Sequence, residues 1–210
     1  MTDDPKLNEE FGLLADDEIV LTTAEALVKN GITVHITENA EEAKKQVLEI
    51  IPLHSEVMNM SSVTLTATGL EKEFVESGNY EAVKNKLTRL DRNKQGQEMK
   101  KLGAAPEWAV GSFHAVTQSG HLFIASLTGS QIPAYAYSAG NIVFVAGTQK
   151  IVKDFDQAIK RIYEYSYPLE DKRALLAYKI HSSVNKILII NKELVPGRIT
   201  VVFVKEKIGY

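Results

Sequence analysis

Three short stretches gather hydroxyl, amide and glycine residues at points where apolar runs stop and helical ones begin. "NMSSVT" supplies Ser61, Ser62 and Thr64, "SLTGSQ" supplies Thr128, Gly129, Ser130 and Gln131, and "AGTQK" supplies Gly147, Thr148, Gln149 and Lys150. Ser, Thr and Gln donate hydrogen bonds without adding charge, glycine lets a backbone approach a ligand closely, and Lys150 adds a cation. A strand that leads into a helix N-terminus also offers unpaired N–H groups and a partial positive charge. The chemistry this mixture suits is holding a small anionic metabolite. Ser61, Ser62, Thr128, Gly129 and Ser130 would act as backbone and hydroxyl donors, and Gln149 and Lys150 would orient the charge. Each stretch taken alone is also ordinary cap and turn chemistry. They make a site only if the fold brings them to one edge.

Other residues carry less. His114 and His121 in "HAVTQSGH" could approach a metal, but no carboxylate or third histidine stands at ligand spacing and no H-E-x-x-H occurs, so no metal or cofactor is assigned. His181 precedes another polar loop, "SSVNK", and receives no role. "VGSFH" lacks the second glycine of a G-x-S-x-G elbow, and neither a P-loop nor a G-x-G-x-x-G is present. No side chain stands out as nucleophile or general base, which leaves electrostatic positioning as the mechanism. Cysteine is absent, so disulfides, thiolate catalysis and cysteine-ligated clusters are excluded. The net charge of −3 creates no global basic field. A basic run through Lys84, Lys86, Arg89, Arg92 and Lys94 is interleaved with acidic residues and has no aromatic platform, so it reads as a solvated helix face and ranks nucleic acid last among partners.

The elements that must position these residues can be read from periodicity. At 210 residues one domain is the simplest reading, because single cores grow to roughly 250 residues before splitting. The acidic opening, residues 1–15, has none of the order of a signal peptide, and the longest apolar runs are strand-length, so the expectation is a cytoplasmic protein without membrane contact. A helix with Ala24, Leu27 and Val28 at helical spacing stops at Asn30-Gly31, and "ITVHIT" follows as a strand. Asn39 and Glu42 form a capping box ahead of a helix ending at Pro52. "SEVMNM", "WAVGSF", "HLFIAS" and "NIVFVAG" read as strands, and "IPAYAY" as a short helix opened by Pro133. Asp154 and Gln157 cap "FDQAIKRIYEY", and a separate helix begins near Pro168. "KILIIN" and "ITVVFV" close the chain, joined by a turn at Pro196-Gly197. Helices and strands alternate, which predicts an α/β fold with a mostly parallel central sheet flanked by helices.

The series "ALVKNGITVHITENAEEAKKQVLEIIP", "SSVTLTATGL", the run from "AVGSFHAVTQ" to "AGTQKIV", and "PLEDKRALLAYKI" resembles the lactate-utilisation (LUD) domain family in order and spacing. The resemblance covers residues 16–210. It implies a fold like the glucosamine-phosphate isomerase, ribose-phosphate isomerase and CoA-transferase group, and a link to lactate and pyruvate metabolism. It also implies an alternative, in which the chain is a non-catalytic accessory subunit beside an iron–sulfur redox protein. One departure bears on the site: relatives often carry arginine in the turn where this chain reads Thr128-Gly129-Ser130-Gln131, and that loss removes a bidentate clamp for an anion.

Overall fold

The computed structural model describes residues 7–210. Its strands are β1 (Thr33–Thr37), β2 (Glu56–Asn59), β3 (Glu81–Ala82), β4 (Trp108–Gly111), β5 (Ala115–Thr117), β6 (Leu122–Ser126), β7 (Asn141–Gly147), β8 (Ile151–Val152), β9 (Lys186–Ile190) and β10 (Ile199–Val204). The α-helices are α1 (Asp17–Lys29), α2 (Ala40–Ile50), α3 (Val63–Ala67), α4 (Leu70–Glu76), α5 (Val83–Leu87), α6 (Arg92–Ala104), α7 (Phe155–Arg161) and α8 (Tyr167–Tyr178).

Six strands form a wholly parallel sheet in the order β1-β10-β7-β4-β2-β3. The central strand β10 is buried at each position, as a parallel strand covered on both faces must be. Side chains alternate across β7. Val143 and Val145 pack with Ala43 and Val47 of α2 and with Leu65, Leu70 and Phe74 of α3 and α4. Ile142, Phe144 and Ala146 face the other way, where they meet Leu27 of α1 and Val116, Leu122 and Ile124 of a second sheet.

That second sheet, ordered β8-β5-β6-β9, is mixed: β5 runs parallel to β8 but antiparallel to β6, and β6 antiparallel to β9. Its outer face, Ala115, Phe123 and Ala125, is covered by Ala158 and Ile162 from α7 and the turn after it. The layers therefore run helix, parallel sheet, mixed sheet, helix.

The mostly parallel central sheet is present, and four details differ from the sequence expectation. β6 joins the second sheet, and the last two apolar strands belong to different sheets, because β9 pairs with β6 while β10 inserts between β1 and β7. The Phe155–Tyr178 segment is one helical run: α7 passes through a π-helical turn, Ile162–Ser166, directly into α8. Pro168 is tolerated in mid-run because its missing N–H falls where the wider turn has already broken the regular ladder. "IPAYAY" likewise forms a π-helical turn, Ala134–Ser138. Of the acidic opening stretch, residues 1–6 lie outside the described residues. Glu9–Gly12 form a 3-10 turn capped by Asn8, whose side chain also reaches Glu164. The capping boxes are in place, with the Glu42 N–H donating to Asn39 Oδ1 at 2.9 Å and the Gln157 N–H to Asp154 Oδ1 at 3.0 Å.

Candidate functional site

β2, β4 and β7 end on the same edge of the parallel sheet and release, in turn, Ser61 and Ser62, Ser112, and the 3-10 turn Thr148–Lys150. The end of β6 brings Ser126 and Thr128 from the second sheet. These connections open onto one cavity of about 760 Å³, whose far wall is a face of α8. Tyr167, Glu170, Ala174 and Tyr178 recur there at helical spacing.

Of the residues singled out by sequence, Ser61, Ser62, Thr64, Thr128, Gln131 and Lys150 line this cavity. Gly129, Ser130 and Gln149 do not. The Gly129 N–H donates to Ser126 Oγ at 2.8 Å, and the Ser130 N–H to Thr128 Oγ1 at 3.3 Å, so those backbone donors are consumed within their own turn. Gly129, at φ +83°, supplies the left-handed conformation the turn needs. Gln149 turns away, and its amide donates to the carbonyls of Ile208 and Gly209 at 2.9 and 3.2 Å. It fastens the segment after β10 to the sheet rather than offering itself to a ligand.

Lys150 is the most constrained of the set. Its side chain is 1% exposed, and Nζ donates to Thr64 Oγ1 (3.2 Å), Ser112 Oγ (3.0 Å) and the Phe113 carbonyl (3.1 Å). One amine thus ties the ends of three chain segments together. Among the described residues no carboxylate lies within ion-pairing distance of it. Burial, and then the neighbouring Arg161 guanidinium, holds its pKa well below the ordinary lysine value.

Arg161 is a second buried cation. It is fully enclosed, donates through Nε to the Gln149 carbonyl at 3.2 Å and through Nη1 to the His114 carbonyl and Ser166 Oγ, and has no partner at Nη2. It too lacks a carboxylate. Burial pushes it down to about 10, which leaves it charged at neutral pH. Sequence inspection passed over Arg161, yet a signal was there. Ala158, Arg161, Ile162 and Tyr165 share the buried face of their helical run, and an arginine inside an apolar stripe is out of place unless something polar lies beneath.

His114 also lies on the cavity wall. Its Nδ1 accepts the Ala125 N–H at 3.1 Å, which puts the ring proton on Nε2. Burial first, then the charges of Lys150 and Arg161, lower its pKa to about 3, so the ring is a neutral donor. His121 sits apart, against Phe155 and bonded to Thr117 and Ser119, and His181 pairs with Asp171 at 2.9 Å on an exposed surface. Two carboxylates on the cavity wall are already engaged. Glu71 pairs with Lys84 at 2.8 Å, and Glu170 with Arg173 and the Tyr210 hydroxyl, each at 2.7 Å. Lys86 of the basic run is likewise paired, with Glu56 and Glu81. Among the described residues no three histidine or acidic side chains gather as metal ligands, and no helix is long and apolar enough to cross a membrane.

The cavity wall therefore carries hydroxyls, one imidazole N–H and two carboxylates already paired, with the buried Lys150 amine on it and the Arg161 guanidinium behind it.

The LUD domain family matches residues 21–204. A crystal structure at 1.70 Å of a DUF162 family protein from Deinococcus radiodurans superposes with a TM-score of 0.57. The two share 9% identity, and the alignment covers 91% of this chain and 99% of that one, which is a likeness of fold. No curated protein matches the chain in sequence. On the extent of the family match, this chain belongs to the LUD domain family, whose name links it to lactate utilisation.

Proposed function

We propose that the chain binds a small anionic metabolite, a carboxylate or phosphate, in the cavity at the strand ends. The observation that carries this reading is the buried Arg161 guanidinium behind the cavity wall, next to the buried Lys150 amine on that wall, with no carboxylate beside either. A buried charge left uncompensated costs several kcal/mol even after local relaxation, about enough to consume much of a domain's net stability. A ligand anion would reduce that cost, and the hydroxyls of Ser61, Ser62 and Thr128 would donate to its oxygens.

The test is a thermal-shift series with lactate, pyruvate, sugar phosphates, nucleotides and coenzyme A. Binding should stabilise the protein by about 2.7 kcal/mol at a hundredfold excess over the dissociation constant. Ser61→Ala together with Thr128→Val, both at exposed positions on the cavity wall, should remove the response while leaving the unliganded melt little changed. A flat response to every anion overturns the reading.

A second reading, an accessory subunit beside an iron–sulfur redox protein, draws on Leu175, Leu176 and Ile180, which are exposed near the end of α8 beside the cavity. A flat ligand series together with co-purification of an iron–sulfur protein would favour it.

A further inference from the structure

Lys150 differs from a lysine that merely neutralises a ligand. A permanent ammonium normally has an acidic partner; here its surroundings are two hydroxyls and a carbonyl, with a guanidinium as the nearest charge. Like charge and low dielectric both favour the neutral amine. The hydrogen bonds accommodate that form. The Thr64 hydroxyl donates onward to the Ile208 carbonyl at 3.5 Å and in that orientation accepts from Nζ. The Phe113 carbonyl also accepts. Ser112 Oγ, 3.0 Å away, donates to the adjacent Phe113 carbonyl at 3.4 Å, a long contact that rotation of the hydroxyl can exchange for donation to a nitrogen lone pair. A neutral amine with two N–H bonds anchored and its lone pair held by an exchangeable hydroxyl is a nucleophile in waiting.

Resting on the anion-binding reading above, we propose that Lys150 forms an imine with the carbonyl group of a small 2-oxo acid bound in the cavity. The carboxylate of such a ligand would sit among the hydroxyls of Ser61, Ser62 and Thr128, in the field of the Arg161 guanidinium buried behind the wall, and its carbonyl carbon would meet Nζ. The lone pair of Nζ attacks that carbon, and the carbonyl oxygen takes up a proton that the nitrogen releases through Ser112. The resulting carbinolamine then loses its oxygen as water while the nitrogen gives up its remaining proton. Amine and ketone become imine and one water, with no change of oxidation state. The neutral His114, with its proton on Nε2, lies on the same wall, where it can hydrogen-bond the departing oxygen while the proton that completes the water comes from the nitrogen.

The experiment is reductive trapping. The wild-type protein is incubated with pyruvate or 2-oxoglutarate and sodium cyanoborohydride, and the covalent adduct is located by peptide mass mapping, with lactate as the control that lacks a carbonyl. The expected result is a dominant secondary-amine adduct on Lys150 with a 2-oxo acid and none with lactate. Mapping is done on the unaltered chain, so the result does not depend on a variant folding; Lys150→Met serves as a second control. If the oxo acids raise the melting temperature but Lys150 stays unmodified, the imine falls and anion binding stands. If no anion shifts the melt and no adduct forms, both fall. Adducts spread over surface lysines with no preference for Lys150 also overturn the proposal.

Discussion

At the scale of single residues, the molecule depends on how two buried basic groups are housed. Lys150 binds protons more weakly in the folded chain than in the unfolded one, so between its depressed value and the ordinary lysine value the unfolded state holds more protons. Stability contributed through this group must therefore rise with pH across that window. Measured by urea denaturation without ligand, the wild type should gain on Lys150→Met as the solution is made more alkaline. A gap that does not move with pH would mean the amine is solvated in the native state. His114 obeys the same sign at lower pH, since its value of about 3 lies below that of a free imidazole. Its contribution is complete above the ordinary histidine value and drains away as pH falls toward 3. Replacing His114 with Gln, which can still accept the Ala125 N–H, should flatten the acid limb of the stability profile.

At the scale of elements, close fits govern what the strand ends can hold. Gly111 closes β4, and a methyl group in its place would run into the Tyr135 hydroxyl. Gly111→Ala should therefore push the Ala134–Ser138 turn outward and cost about 1–3 kcal/mol in denaturation, the usual penalty of overfilling a packed site. How much of this was legible depended on length of pattern. Long or capped elements such as α2, β7 and β10 announce themselves through caps and apolar period, and the parallel order followed from their alternation with helices. The second sheet did not, because β5 and β8 are three and two residues long and leave no periodic trace. Site residues behaved likewise. Lys150, Thr64 and Thr128 were legible because polar residues sat at strand ends. Gln149, one position from Lys150, faces the opposite way, and composition cannot tell a side chain turned toward a cavity from one turned toward a neighbouring carbonyl. Ser112 was overlooked because it lies in a link between two strands, where no helix follows to suggest a binding turn.

At the scale of the whole molecule, the cavity is assembled from both sheets and closed by a helix whose register is not set by its own sequence. A cavity of about 760 Å³ falls in the range that takes drug-sized ligands, so a molecule as small as lactate would fill a minor part of it. The rest is bounded by α8, and α8 arrives there through the widened turn at Ile162–Ser166. That turn acts as a phase shifter: its additional residue rotates everything downstream by about 100° relative to an uninterrupted α-helix. Excising one residue from it, the half-exposed Tyr163 for instance, should restore an even pitch. Tyr167, Glu170 and Tyr178 would then swing off the cavity while α7 keeps its seat on the mixed sheet. Pro168 would also fall inside a regular helix, at a cost of about 3 kcal/mol. Ligand-induced melting shifts, compared between the intact and shortened chains, measure this. A single inserted residue would thus decide which side of a helix the ligand meets, so the shape of the binding space can change by insertion or loss along one helix without any substitution at the residues that touch the ligand.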